Sequence, residues 1–184
     1  MQFTLYYRGP LRSNASPTEK HQLRRHFHGQ LKMAWEREPL LSFKHLLVLP
    51  QPDNLGLLRQ ANGFTFAPLV AECVRLVAEL DVRMLWPQEP GAIVSRGGDI
   101  DNRLKTLFDA LRAPLEANAI PVSTRPGPDE NPFFCLLEDD RLITRVNVET
   151  DQLMDPGASH DEVALFIRVA TRQLKTMMGT IGLA

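Results

Sequence analysis

The residues of this chain best suited to chemistry are aspartates in two short acidic motifs. The first motif is Gly98-Asp99-Ile100-Asp101-Asn102, and the second is Glu138-Asp139-Asp140. If the first segment is extended, Asp99 and Asp101 point to the same side, because side chains alternate along a strand. A third carboxylate from the second motif would complete a set of hard oxygen ligands that suits Mg2+. Such a site binds a phosphate and activates water, which is the chemistry that hydrolyses a phosphodiester bond.

A structural role for the same aspartates is the alternative. Four apolar residues follow at the i, i+3, i+4, i+7 spacing of one buried helix face: Leu104, Leu107, Phe108 and Leu111. Asp99 or Asp101 is then an N-cap, because a carboxylate at a helix N-terminus accepts a free backbone N–H. Likewise, Asp101, Lys105 and Asp109 have the i, i+4, i+8 spacing of two surface ion pairs. Spacing alone leaves both interpretations open.

The two motifs together resemble the signature of the RusA family of Holliday junction resolvases. The run Asp99-Ile100-Asp101-Asn102-Arg103-Leu104-Lys105, continued by Asp109-Ala110-Leu111, fits the family's pattern D-hydrophobic-D-N-x-x-K-x-x-x-D-A-L. The run Asp139-Asp140-Arg141-Leu142-Ile143 fits its paired aspartates ahead of a hydrophobic strand. The resemblance covers mainly residues 93–150. It implies that Asp99, Asp101 and Asp140 bind the metal and that Lys105 is the essential catalytic lysine.

The resemblance also implies a fold, an activity and partners. The fold is a single α+β domain over residues 1–184, with a mixed β-sheet packed against two main helices and insertions at about 39–72 and 113–137. The activity is Mg2+-dependent cleavage of four-way DNA junctions in recombination and repair, with Mn2+ able to replace Mg2+. A homodimer makes the two related cuts. Two alternatives stay open: a metal-dependent nuclease acting on other branched DNA, and a non-catalytic DNA-binding or accessory protein that keeps the fold.

Hydrophobic patterning over the rest of the chain predicts the order of the elements. It predicts strands at residues 2–7, 73–86, 142–148 and 162–171, and a helix at residues 18–37. Residues 44–69 are predicted to form short strands or an irregular insertion, because prolines interrupt the apolar runs. Residues 113–137 are predicted to be a long connection with a surface loop at 121–132.

The charge of the chain is close to neutral but unevenly distributed. The net charge is −1, whereas residues 129–162 carry ten acidic residues and two arginines, a local net charge of −8. The predicted helix at 18–37 contains five basic residues: Lys20, Arg24, Arg25, Lys32 and Arg37. We therefore expect a DNA-facing positive surface that includes part of this helix with Arg96 and Arg103. A solvated helix face is the alternative, because nearby glutamates offset much of its charge.

Other classes of protein receive no support from the sequence. The longest apolar run, at residues 46–49, is far too short to span a membrane. The N-terminus lacks the charged and apolar regions of a secretory signal, so a cytoplasmic location is expected. Cys73 and Cys135 have no metal-binding or redox spacing and are predicted to be free thiols. The histidines give no zinc or triad pattern, and no phosphate-binding glycine loop occurs.

Overall fold

The computed structural model describes residues 1–87, 100–175 and 182. These residues form two α-helices and seven strands: β1 (Gln2–Pro10), α1 (Pro17–Trp35), β2 (Arg59–Ala61), β3 (Phe64–Val70), β4 (Leu76–Trp86), α2 (Ile100–Leu111), β5 (Phe133–Leu137), β6 (Ile143–Gln152) and β7 (Glu162–Gln173). Three 3₁₀ helices lie at Leu40–Leu46, Glu72–Val74 and Asp140–Leu142. The predicted α+β class is confirmed.

The described strands form two mixed sheets. The larger sheet has the order β1-β7-β4-β6, in which β7 is antiparallel to both neighbours and β6 runs parallel to β4. The smaller sheet has the order β2-β3-β5, with β2 antiparallel and β5 parallel to β3. The expected mixed sheet is therefore present. Of the two alternatives for residues 44–69, short strands or an irregular insertion, the structure has strands, which belong to a second sheet that the patterning does not predict.

The two central strands of the larger sheet build its core face. The alternating residues of β7 are fully buried, as predicted: Val163, Leu165, Ile167 and Val169. β4 begins at Leu76 rather than at the predicted residue 73. The strand starts later because Glu72–Val74 forms a 3₁₀ turn, which ends at Arg75 in the left-handed conformation, with φ of 55°. Each buried aliphatic side chain stabilises the fold by roughly 1.5–3 kcal/mol, so the ends of these strands are firmly held.

α1 begins one residue before its predicted start and ends two residues before its predicted end. Ser16 is the N-cap of a capping box, in which Glu19 N–H donates to Ser16 Oγ at 3.3 Å and Ser16 N–H donates to Glu19 Oε2 at 2.8 Å. Pro17 occupies the first helical position, where no backbone N–H is needed. One face of the helix is buried: Leu23, Phe27, Leu31 and Trp35. This face places α1 against α2, β5 and β1.

β5 is the element that the sequence patterning misses. The pattern predicts a connection over residues 113–137, but Phe133–Leu137 forms a strand parallel to β3. All five of its residues are buried. A parallel strand buried on both faces is a continuous apolar run, and five such residues carry no periodic signal. β5 leads directly into Glu138-Asp139-Asp140 and so positions the second acidic motif.

Candidate functional site

Asp101 lies in the first turn of α2 and not on an extended segment. Because α2 begins at Ile100, the expectation that Asp99 and Asp101 alternate along a strand is wrong for Asp101. Asp99 lies outside the described residues. The exposed carboxylate of Asp101 accepts a hydrogen bond from Asn102 N–H at 2.9 Å, at the positive end of the helix dipole. Its side chain forms no ion pair within residues 1–87, 100–175 and 182.

Lys105 lies one helical turn beyond Asp101, on the same side of α2. Its side chain is exposed and has no ion pair with any residue that the structure describes. Neither ion pair of the alternative stripe forms among the described residues: Asp101 and Lys105 are not paired, and Asp109 pairs with Lys20 at 2.7 Å and with Arg112 at 3.2 Å. Burial alone would raise the pKa of Asp109, but hydrogen bonds from these two cations lower it below its ordinary value. Asp109 is a structural residue, and Lys105 is left for another partner.

Arg103 fixes the start of α2 from the inside of the protein. It is only 6% exposed, and its Nη1 donates a hydrogen bond to the carbonyl of Leu11. Its guanidinium lies 5.5 Å from the centre of the Trp86 ring, at the end of β4. Burial lowers the pKa of Arg103. The expectation that Arg103 belongs to an exposed positive surface is therefore wrong, and Arg96, the other arginine expected there, lies outside the described residues.

The two aspartates of the second motif have different surroundings. Asp139 precedes the 3₁₀ helix Asp140–Leu142, and its Oδ1 accepts from Arg141 N–H at 3.0 Å. Its carboxylate is therefore used to shape the turn. Asp140 is exposed and forms no ion pair with the described residues. Of the two, Asp140 is the one whose carboxylate is not used by its own turn, and its role as a metal ligand stays a prediction.

Glu138 holds this acidic turn in place, a structural role that its position in the motif does not predict. Its Oε1 accepts from Arg59 Nε at 2.7 Å, and its Oε2 accepts from the backbone N–H of Glu72 at 2.9 Å. Both carboxylate oxygens are thus occupied by β2 and by the 3₁₀ turn before β4. An acidic residue beside two aspartates gives no signal in the sequence that it is structural, because its partners lie far away along the chain.

The fold brings the two motifs onto neighbouring elements. α2, which carries Asp101 and Lys105, is in contact with the 3₁₀ helix Asp140–Leu142, which carries Asp140. Within the described part of the chain, no group of three or more His, Cys, Asp or Glu side chains is arranged to hold a metal ion. The third expected ligand, Asp99, falls in the range 88–99 that is not described.

The basic helix α1 is largely neutralised by contacts within the protein. Arg24 is 3% exposed and donates to the carbonyls of Asp109 at 2.7 Å and Arg112 at 3.3 Å. It therefore caps the C-terminal end of α2, and the expectation that it faces DNA is wrong. Arg25 binds Glu130 at 2.7 Å, and Lys32 lies 3.3 Å from Asp129.

Two histidines of α1 are buried between the helix and the smaller sheet. Phe134 N–H donates to His28 Nδ1 at 2.8 Å, and His28 Nε2 lies 3.1 Å from the carbonyl of Asp129. These contacts require the neutral tautomer with its proton on Nε2, and burial lowers the pKa of His28. His21 stacks on Phe133, and burial, together with the charge of Arg24, lowers its pKa to about 4. Both rings are core residues.

Both cysteines are free thiols, as predicted. Cys135 is buried in β5, and burial raises the pKa of its thiol to about 12. No helix in the described ranges is long and apolar enough to cross a membrane.

Comparisons with models of known protein families, with curated proteins and with solved structures find no match to this chain. A function for it therefore has to be argued from the residues of the site and their surroundings.

Proposed function

We propose that this chain is a Mg2+-dependent endonuclease of the RusA type that cuts four-way DNA junctions. The observation that supports this proposal is a contrast in pairing among the motif residues. Asp109 and Asp139 have structural partners. Asp101, Lys105 and Asp140 are exposed, lie on elements in contact, and have no ion pairs with the described residues. Carboxylates brought close together without cations would repel each other, and a divalent cation bound between them would remove this cost.

The side chains fit the metal and the reaction. Asp101 and Asp140, together with Asp99, would provide hard oxygen donors of the kind that suit Mg2+. Mg2+ held there would supply polarisation of a phosphate and a lowered pKa of a coordinated water. Lys105 Nζ stabilises the negative charge that develops on the phosphate oxygens. Water forms a bond to phosphorus as the bond to the 3′ oxygen breaks, which leaves a 3′-hydroxyl and a 5′-phosphate.

The buried framework supports this role because it keeps the charged groups in place. Arg103 holds the first turns of α2 against β4 and the segment after β1, and Arg24 holds its other end. Glu138 holds the turn that presents Asp140. Catalytic groups on rigid elements retain the geometry that the reaction needs, and errors of about 1 Å cost large factors in rate.

A Mg2+-dependent cleavage assay tests the proposal by offering a four-way junction, a flap and a linear duplex side by side. We expect cleavage of the junction, its loss in Asp140→Asn, and unchanged cleavage in Asp53→Asn, an exposed aspartate in another turn. Cleavage of the flap but not of the junction would support the other branched-DNA nuclease. Binding without cleavage in Mg2+ or Mn2+ would support the accessory protein and contradict the proposal.

A further inference from the structure

The two edges of the larger sheet differ in how they are protected. At the β1 edge, the backbone N–H of Tyr6 donates to Gln30 Oε1 at 2.9 Å, and Gln30 Nε2 donates to the carbonyl of Tyr6 at 2.6 Å. α1 therefore covers that edge. At the other edge, β6 is hydrogen-bonded to β4, and no described backbone group pairs with its outer side. Four consecutive residues of β6, 144–147, are exposed. An open strand of this length is a template for another strand.

The sequence of β6 is complementary to itself when two copies run antiparallel. If Asn147 lies opposite the partner's Asn147, then Arg145 lies opposite the partner's Glu149, and Glu149 lies opposite the partner's Arg145. In the same register, Val146 lies opposite the partner's Val148. Residues that face each other across an antiparallel pair lie on the same face and interact directly. One register therefore brings together both charged pairs and both apolar pairs.

The pairing with β4 assigns these residues to the two faces of the sheet. Arg145, Asn147 and Glu149 lie beside Glu79, Asp81 and Arg83, so they share the charged face. Val146 lies on the opposite face and is 40% exposed, although that face is buried elsewhere in the sheet.

The charged side chains of β6 stay partly exposed even where they pair with β4, so they remain accessible to a second copy of the chain. Arg145 contacts Glu79 at 3.1 Å and remains half exposed. Glu149 is 3.7 Å from Arg83, and both side chains are more than half exposed, so this pair is weak.

We propose that β6 is the contact surface between two copies of this chain. The strands pair antiparallel about a two-fold axis at Asn147, and the two larger sheets join into one continuous sheet. The axis is perpendicular to the sheet, so the helices of both copies lie on the same side. β6 follows directly after Asp140–Leu142, and the two Ile143 residues are about 26 Å apart along the strands. This inference rests on strand geometry and not on the proposed nuclease activity.

Charge reversal and chain mixing test this interface by analytical ultracentrifugation of the full chain. The native protein is expected to have twice the mass of one chain. Arg145→Glu and Glu149→Arg each place like charges opposite each other twice, so each variant alone should dissociate, with the dissociation constant raised at least about tenfold. Mixed together, the two variants regain two opposite-charge pairs and should form a heterodimer. Arg172→Glu, a reversal on β7 beside the same Glu79 carboxylate, should remain dimeric.

The mixing experiment distinguishes a lost interface from a damaged fold, because two misfolded variants would not form a heterodimer when they are mixed. If either reversal prevents folding, as judged by circular dichroism, Asn147→Asp provides a milder variant that places two carboxylates at the axis and should also dissociate. A monomeric native protein would overturn the proposal. A native dimer that survives these substitutions, or reversed chains that stay monomeric when mixed, would overturn it equally.

Discussion

The carboxylates of Asp101 and Asp140 differ from those of Asp109 and Asp139 in what they contact. Asp109 is held between Lys20 and Arg112, and Asp139 is held by the backbone of its own turn. Removing either of the latter two would leave donors unsatisfied and destabilise the fold. Asp101 and Asp140 have no ion pair in the described ranges, and Asp101 accepts the exposed backbone N–H of the next residue, Asn102, so replacing either aspartate should change ligand binding more than folding.

Metal binding should be detectable as thermal stabilisation. At a free Mn2+ concentration about 100-fold above Kd, a ligand that binds only the native state adds about 2.7 kcal/mol, which raises Tm by roughly 5–10 °C. Asp101→Asn should remove this rise while its metal-free Tm stays equal to or above that of the native protein, because one repelling charge is lost. The exposed Asp53→Asn should keep the full rise. A normal rise in Asp101→Asn would show that the ion binds elsewhere.

Lys105 should matter for the reaction and not for metal binding. Lys105→Ala should abolish junction cleavage, because the positive charge near the reacting phosphate is lost. Junction affinity should fall only modestly, with the salt dependence of binding reduced by about one phosphate contact. The Mn2+-induced rise in Tm should persist, and Lys44→Ala, an exposed lysine outside the site, should cut normally. Normal cleavage by Lys105→Ala would leave this lysine without a catalytic role.

α1 holds α2 and the smaller sheet in place through buried polar side chains. Arg24 caps the end of α2, and His21 and His28 lie between α1 and β5. Arg24 and His28 are satisfied by hydrogen bonds to backbone groups, whereas His21 packs against aromatic rings and its buried Nε2 has no hydrogen-bond partner among the described residues.

The two adjacent arginines of α1 should have very different effects on stability. Arg24→Met leaves the carbonyls of Asp109 and Arg112 without a donor, so the free energy of unfolding should fall by roughly 2–4 kcal/mol. Arg25→Met breaks a partly exposed pair with Glu130 and should cost about 1 kcal/mol or less. Urea unfolding at pH 7 measures both. Equal losses in the two variants would contradict the burial-based assignment.

The buried histidines should make the fold sensitive to mild acid. The pKa of His21 falls from about 6.5 in the unfolded chain to about 4 in the folded protein, so the unfolded chain binds more protons as the pH falls. The stabilisation is complete above pH 6.5 and is lost between about pH 6.5 and 4. Between pH 7 and 4.5 the free energy of unfolding should therefore fall less in His21→Phe than in the native protein. The difference between the two losses should be up to about 3 kcal/mol. If urea unfolding showed the same pH dependence of stability for His21→Phe and the native protein, the assignment of the acid sensitivity to His21 would be contradicted.

The charges of the whole molecule are arranged as internal pairs more than as separate surfaces. The acidic segment at 129–162 begins beside the basic helix α1, where Asp129 and Glu130 contact Lys32 and Arg25. Much of the positive potential expected from α1 is therefore used inside the protein. If the chain binds DNA as proposed, the positive surface would have to come from the proposed dimer and from cations near the candidate site.

Dimer formation should control how many strands of a junction are cut. If both proposals hold, the native protein makes paired cuts on a circular junction substrate, because two sites related by symmetry act on one junction. Arg145→Glu alone should release mainly singly nicked product. A mixture of Arg145→Glu with Glu149→Arg should restore paired cuts. If Arg145→Glu alone made paired cuts at the native rate, paired cutting would not depend on the β6 interface.

The local pattern of the sequence was sufficient for most elements. Apolar spacing predicts β1, β7 and the buried face of α2, because each of these elements buries one side more than the other, and Pro17 and Pro39 mark the two ends of α1. β6 is also predicted as a strand, although none of its residues is buried. The two acidic motifs also follow from the sequence, since residue type and spacing alone distinguish them. β5 is missed because it is buried on all sides and too short to show a period.

The tertiary structure decided which charged residues are available for function. Arg24 and Arg103 look like surface cations in the sequence, but each is buried against carbonyls that lie about 85–92 residues away along the chain. Asp109, Glu138 and Asp139 look like possible ligands, but each is held by a structural donor. The pairings of Asp109 with Lys20 and of Glu138 with Arg59 depend on the packing of distant segments, and no local pattern encodes them, because desolvation and hydrogen bonding are set by neighbours in space.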